Sequence, residues 1–325
     1  MGGSEQLAFG DEPVPTPVAF GGATIQYRAA SQILTPASGF MSDYDFTLNP
    51  YSGCAFGCSY CYAAFFVRDE ARQTSWGQWV AVKENALQLI RSRRKSLAGQ
   101  SIYMSSVTDP YQPIERKLEL TRSILRVLRE HQPNLVIQTR SGLVRRDIDI
   151  LRGFTSARVN MTVTTDSEAV RRAFEPKTPT LKVRLEAAAA LVQSGVPTTI
   201  TMTPLLPIED PEHFARELLA TGVERFVVQP FHVERGRFVA GTGHRALEIT
   251  ARMQWGRPEY EAAAAVLRDR LPNLTEGREG FAPCGLARLK HLPKLVPGSR
   301  KLRMRSIGPC GASSLMQELR GVLGK

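Results

Sequence analysis

Cys54, Cys58 and Cys61 stand together in the stretch NPYSGCAFGCSYCY, residues 49–62, and are three of the chain's five cysteines. Thiols crowded in this way bind metal ions or metal clusters; an odd, clustered count argues against a disulfide framework. Zinc wants four ligands, usually as two CxxC-like pairs. The spacing Cys-x3-Cys-x2-Cys offers three, the nearest histidine is His131, and a zinc site would have to borrow Cys284 or Cys310 from far along the chain. A [4Fe–4S] cluster on three cysteines leaves one iron without a protein ligand, whereas an electron-transfer cluster takes four. The open iron is structurally useless but chemically valuable, because a substrate or cofactor can chelate it.

Elements that would position such a site follow in a regular alternation. Apolar, β-branched runs at Phe46–Asn49, Ser101–Val107, Leu135–Thr139, Arg158–Thr164, Thr198–Thr203 and Arg225–Gln229 read as strands. Helical patterns lie between them at Ile114–Glu130, Arg145–Phe154, Leu181–Ser194 and Pro211–Thr221. Strand, helix, strand, helix at this spacing means parallel βαβ units. Six units predict a partial (β/α)6 barrel of TIM type or a doubly wound sheet, and in both the loops at the C-terminal strand ends hold the site. Asp109, Arg140 and Asp166 all sit at such ends. Residues 1–45, rich in Pro, Gly, Ser and Thr, read as an irregular lead-in, 46–272 as the barrel, and 273–325 as a basic C-terminal extension.

The aromatic Tyr60 before the last cysteine completes a pattern that resembles the radical S-adenosylmethionine superfamily. Further segments narrow the resemblance to its spore photoproduct lyase-related branch: Asn49–Tyr62, then TDPYQPIE at Thr108–Glu115, TRS at Thr139–Ser141, and Glu175–Pro176 before a long helix. The match covers roughly residues 25 to 235 and implies the partial barrel over the doubly wound sheet. It also implies an oxygen-sensitive enzyme with a [4Fe–4S] cluster on Cys54, Cys58 and Cys61. S-adenosylmethionine would chelate the open iron through its amino and carboxylate groups. One electron, from a donor such as flavodoxin or ferredoxin, would then cleave it to methionine and a 5′-deoxyadenosyl radical that abstracts a substrate hydrogen.

The resemblance assigns roles residue by residue. Tyr60 would lie against the adenine. Thr108 and Asp109 would meet the methionine amino group, although an Asp before Pro110 also forms turns unaided. Arg140, where the branch more often has Lys, would pair with the cofactor carboxylate; it keeps the charge and changes the geometry. Thr162 and Thr164 share one strand face and would reach the ribose, as would Glu175 unless it caps a local turn. A spore photoproduct lyase has a cysteine hydrogen donor close before the Asp of its second-strand segment, and Ser105–Asp109 has none. Tyr62, Cys284 and Cys310 are the remaining donor candidates. Gly241–Gly243 lacks the third glycine of a dinucleotide fingerprint, and His213 and His244 have no ligand spacing.

Composition bounds the partners. A net charge of +11 over 325 residues suggests an acidic partner, most plausibly nucleic acid, and Arg288–Arg305 holds seven Lys or Arg with no carboxylate. No apolar run spans a membrane and the N-terminus does not read as a secretory signal, so a cytoplasmic protein is expected. The leading expectation is a radical S-adenosylmethionine enzyme, lyase-like or modifying, acting on nucleic acid, with DNA repair as the role that the resemblance implies. The alternatives are modification of a peptide or small metabolite, and a non-catalytic module in which a cluster or zinc stabilises a nucleic-acid-binding fold.

Overall fold

Six parallel strands carry the architecture: β1 Phe46–Leu48, β2 Ser101–Met104, β3 Asn134–Thr139, β4 Ala157–Thr162, β5 Thr198–Met202 and β6 Phe226–Val228. They lie side by side in chain order, with Phe46 opposite Ile102, Leu135 opposite Ala157 and Ile200 opposite Phe226. The computed structural model describes residues 18–231 and 243–284. A seventh strand, β7 Leu274–Glu276, adds in parallel to β6, and Leu34–Pro36 runs antiparallel on the outer edge of β1. Among the described residues these two edges do not pair with each other, so the sheet is a partial barrel.

Alternation along each strand separates two buried faces. Ile102, Met104, Leu135, Ile137, Val159, Met161, Ile200, Met202, Phe226 and Val228 point out into the main core beneath the helices. The opposite face is polar in its upper part: Gln138 donates to Thr162 Oγ1 at 2.7 Å and Thr201 Oγ1 at 2.9 Å, and accepts from the Tyr103 hydroxyl at 2.8 Å. Buried polar groups of this kind persist because they satisfy one another.

The covering helices are α1 Leu120–His131, α2 Glu168–Phe174, α3 Leu181–Gln193, α4 Pro211–Ala220, α5 His244–Arg252 and α6 Arg257–Arg270. Ser167, Thr180 and Asp210 cap α2, α3 and α4 through their side-chain oxygens. The helix expected over Ile114–Glu130 is broken. Glu119 sits at φ +47°, and the Glu115 carboxylate folds back to accept from Thr121 N at 2.9 Å, capping α1 from the preceding turn. The expected Arg145–Phe154 helix is a 3-10 turn, Gly142–Asp147, running into Ile148–Leu151.

Two segment boundaries differ from expectation. The lead-in contains Ala23–Arg28, which pairs in parallel with Trp79–Lys83 in a second small sheet, and Tyr51–Ser52 pairs antiparallel with the same strand. β7 begins beyond residue 272, so the start of the expected extension belongs to the barrel sheet. Residues 288–305 and Cys310 lie outside the described residues, as does most of Gly241–Gly243.

Candidate active site

The chain leaves β1 through Tyr51–Ser52 and enters the cysteine loop at Gly53, which takes φ +75° and lies so close to Trp79 that a Cβ would stand 2.6 Å from its ring. Gly57, at φ +59°, packs against Gly77; a Cβ there would meet the Gly77 Cα at 3.0 Å. Only glycine combines left-handed backbone with such close approach. The other side of the loop is tied to the connection after β2. The Thr108 hydroxyl donates to the Gly53 carbonyl at 2.6 Å, and Gln112 accepts from Ala55 N at 2.9 Å. Ser59 N donates to the Phe174 carbonyl at the end of α2. The cysteines are therefore held at the C-terminal ends of β1, β2 and β4.

Cys54 and Cys58 are buried, Cys61 partly so, and all three are free thiols. Burial pushes the Cys54 thiol up to about 12, with the nearby Asp109 and Cys61 charges adding to the rise, and raises Cys58 and Cys61 as well. Arg140 opposes the rise at all three. Thiols that are neutral when bare and sit beside a cation suit a group that displaces their protons on binding. Among the described residues no three His, Cys, Asp or Glu side chains form a site for a single metal ion. A cluster places each thiolate on a different iron, so three spaced sulfurs fit it and a tetrahedral zinc ion would lack ligands. Cys54, Cys58 and Cys61 would hold such a cluster, which would supply single-electron chemistry there.

Behind the cysteines lies a buried ionic network centred on Glu175. Arg140 Nη1 is 2.9 Å from Glu175 Oε1, 2.7 Å from the Tyr60 hydroxyl and 3.1 Å from Cys58 Sγ. Tyr60 donates to Glu175 Oε1, Thr164 donates to the same oxygen at 3.0 Å, and Arg184 pairs with Oε2. Burial alone would raise the Glu175 carboxyl; the Arg184 and Arg140 charges, with hydrogen bonds from Arg184 and Tyr60, hold it at about 2.

The structure thus brings Tyr60, Arg140, Thr164 and Glu175 together beside Cys58. Asp109 serves the frame: its carboxylate accepts from Tyr111 N at 2.9 Å, the Thr139 hydroxyl at 2.8 Å and Arg140 N at 2.9 Å. Thr162 belongs to the Gln138 network inside the barrel. Tyr62 is 44% exposed, bonds the Ser106 carbonyl, and sets its ring edge-on to Phe66, itself 63% exposed. Cys284 is buried elsewhere, with Met41, Tyr44, Tyr103, Val136, Val227 and Phe281. Asp166 caps the 209–210 backbone, and His213 and His244 are exposed partners of Glu217 and Glu248.

Sequence reasoning did not single out Arg184, which pairs with Glu175, or Trp76, which packs against the group formed by Cys54, Phe56, Cys58 and Tyr60. Arg184 had a legible signal: it is the lone charge on the α3 face shared by Leu181, Ala187, Ala188 and Leu191, all buried. A cation on an apolar stripe implies a buried carboxylate partner. Trp76 had none, because nothing local says that its ring packs under a loop twenty residues earlier.

A parallel partial barrel with a three-thiol loop leaving its first strand defines the class as enzymes built around an open-iron cluster. Residues 48–219, more than half the chain, match the Radical SAM superfamily, and the chain belongs to it. Its cofactors are accordingly a [4Fe–4S] cluster and S-adenosylmethionine. An uncharacterized protein of Methanocaldococcus jannaschii is 37% identical over 162 residues, half of this chain and 61% of that one. A radical SAM Nalpha-GlyT isomerase of Pseudomonas phage M6 is 25% identical over 185 residues, covering 55% of this chain and 38% of the isomerase. The chain spans less than two thirds of the length of both. Spore photoproduct lyase complexed with dinucleoside spore photoproduct shares the fold, with a TM-score of 0.52, 15% identity, and 79% and 82% of the two chains covered.

Proposed function

We propose that this enzyme uses the 5′-deoxyadenosyl radical to abstract hydrogen from a nucleic-acid substrate, with Cys54, Cys58 and Cys61 holding the cluster. The observation that supports the substrate class is a set of three exposed arginines in segments that follow the C-terminal ends of consecutive strands. Arg116, Arg145 and Arg172 stand on the connections after β2, β3 and β4, and none is paired with a carboxylate among the described residues. Their acidic neighbours are engaged: Asp149 by Arg122 and Glu168 by Arg171. Exposed cations without carboxylate partners suit phosphates, which position a strand without reading its sequence. The exposed Tyr62 and Phe66 rings offer a face on which an unstacked base can rest. The net charge of +11 agrees in sign.

Within this reading Tyr60 and Thr164 orient the fully buried Glu175, and Glu175 in turn holds Arg140 beside Cys58, next to where the cofactor would chelate the open iron. Tyr62 is the donor nearest the cluster loop for returning a hydrogen to the product radical. A flavodoxin- or ferredoxin-like protein is the expected electron source, and the cytoplasm the expected compartment.

The test begins with anaerobic reconstitution, dithionite and S-adenosylmethionine, reading 5′-deoxyadenosine against a Cys58→Ala control. DNA affinity is then titrated against salt. Each phosphate contact contributes about one unit to the slope of log affinity against log salt, so Arg116→Ala, Arg145→Ala and Arg172→Ala should each flatten it. Cleavage of the cofactor with no salt-dependent affinity would move the substrate to a peptide or small metabolite. A loaded cluster with no cleavage would leave a nucleic-acid-binding module.

A further inference from the structure

Two N–H groups face the sulfurs of the cysteine loop. Arg140 Nη1 donates to Cys58 Sγ at 3.1 Å. It is held there from behind by Glu175 and Tyr60, and its guanidinium lies 5.7 Å from the Tyr60 ring centre. On the other side Trp76 packs against the group formed by Cys54, Phe56, Cys58 and Tyr60, next to Cys61. The Trp76 indole nitrogen is buried and makes no hydrogen bond that meets distance and angle limits. Cys61 packs against the same group, so its sulfur is the acceptor on this side of the loop that the indole nitrogen can meet once a cluster is bound. The neighbouring indole behaves differently, since Trp79 Nε1 donates to the Arg72 carbonyl at 2.8 Å.

An orphaned buried donor costs free energy unless something becomes its acceptor. A neutral thiol is a weak acceptor, and a thiolate ligand on iron is a better one. Donors to cluster sulfurs act most strongly on the reduced state, where more negative charge resides on sulfur, and so raise the reduction potential.

We propose that Trp76 and Arg140 are positioning residues that donate N–H···S hydrogen bonds to the Cys61 and Cys58 ligands and so set the reduction potential of the cluster. The inference rests on the radical S-adenosylmethionine reading. It explains why an indole N–H is buried without an oxygen or nitrogen acceptor, and why Arg140 is braced toward a sulfur rather than left free in the mouth.

The experiment uses the reconstituted full chain. Trp76→Phe keeps the ring and removes only the N–H. At equal iron and sulfide content and a fixed ambient potential, its reduced-to-oxidised ratio should fall several-fold; a tenfold fall corresponds to about 59 mV for a one-electron couple. Trp79→Phe is the control and should leave the ratio unchanged. In the wild type, protein labelled with 15N-tryptophan should show a 15N hyperfine coupling to the reduced cluster, and exchange into deuterated water should shift the iron–thiolate stretching bands. Should Trp76→Phe fail to load a cluster, the wild-type spectra decide alone. Absence of the 15N coupling and of the deuterium shift, or an unchanged ratio in Trp76→Phe, overturns the proposal while leaving the enzyme assignment intact. A wild-type chain that takes up no cluster overturns both.

Discussion

Among the described residues, buried thiols lie at two places, and their surroundings differ in kind. At the mouth, Cys54, Cys58 and Cys61 lie on a loop braced by Arg140, itself tied to Glu175 and through it to Arg184, whose side chain is fully buried. Cys284 sits instead among Met41, Tyr44, Tyr103, Val136 and Phe281. There the polar groups bond to backbone and amides: Tyr44 to the Phe281 carbonyl, Arg158 to the Ala282 carbonyl at 2.9 Å and to Asn160 at 3.0 Å. One end surrounds three sulfurs with a paired network of charges, and the other sets one sulfur in a mainly apolar cluster close to the buried guanidinium of Arg158. Several charges near clustered thiols prepare them for deprotonation and ligation, whereas a single thiol in a mainly apolar cluster contributes chiefly packing.

Replacing the sulfurs one at a time breaks this comparison most forcefully. Cys54→Ala, Cys58→Ala and Cys61→Ala should each abolish 5′-deoxyadenosine formation and lower the iron content after reconstitution. Any of the three that keeps full cleavage activity would remove that residue from the ligand set.

The charge network is the next largest target. Glu175→Gln leaves Arg184 buried without its counter-charge, and removing one partner of a buried pair costs about 3–5 kcal/mol. Denaturant unfolding of the metal-free protein measures this at neutral pH. The sign with pH follows from the depressed carboxyl. Folding gains from Glu175 are complete above its ordinary value of 4.5 and are lost as pH falls toward about 2. The wild type should therefore lose about 3 kcal/mol relative to Glu175→Gln across that window. Parallel stability curves for the two proteins between pH 4.5 and 2 would show that Glu175 is not ionised in the network.

Much of this was legible in the sequence, for a physical reason. Strands buried on both faces read as short β-branched runs, so β2 to β6 stand out, and three cysteines in one loop declare a cluster whatever surrounds them. What escaped depends on distant partners. Ile25 pairs with Val80 and Gln138 bonds Thr201, and no local periodicity carries such pairings. β7 is three residues, Leu-Thr-Glu, partly exposed and polar, and becomes a strand only because β6 presents an open edge. Glu175 was legible as a candidate carboxylate but not as the partner of Arg140 and Arg184, which arrive from two other connections. The break at Glu119 escaped because the carboxylate that caps α1 belongs to the preceding turn.

A smaller effect tests whether the loop's shape, rather than its ligands alone, distinguishes the mouth. Gly53→Ala places a Cβ 2.6 Å from Trp79 at φ +75°. Left-handed backbone costs about 1–2 kcal/mol for a residue with a Cβ, and overpacking adds about 1–3 kcal/mol. The expected result is a fall in unfolding free energy with slower cluster uptake, while the three cysteines remain chemically reactive. Normal uptake at normal stability would mean the loop can rebuild without this turn.

The smallest expected change comes from the other thiol. Cys284→Ala removes one buried atom from an apolar cluster, so stability should fall by roughly 1 kcal/mol, the scale of deleting a methyl-sized group in a core. Iron content and the spectrum of the cluster should match the wild type, because Cys284 packs with Tyr103 and Val227 rather than with Tyr60 and Phe174. That pairing of a stability loss with unchanged iron is the reverse of the outcome expected for Cys58→Ala, where iron is lost. If Cys284→Ala also lowered the iron content, the apolar end would have to communicate with the mouth through the Tyr103–Gln138–Thr162 hydrogen bonds that run between them. Gln138→Leu would then reproduce the loss without touching a sulfur.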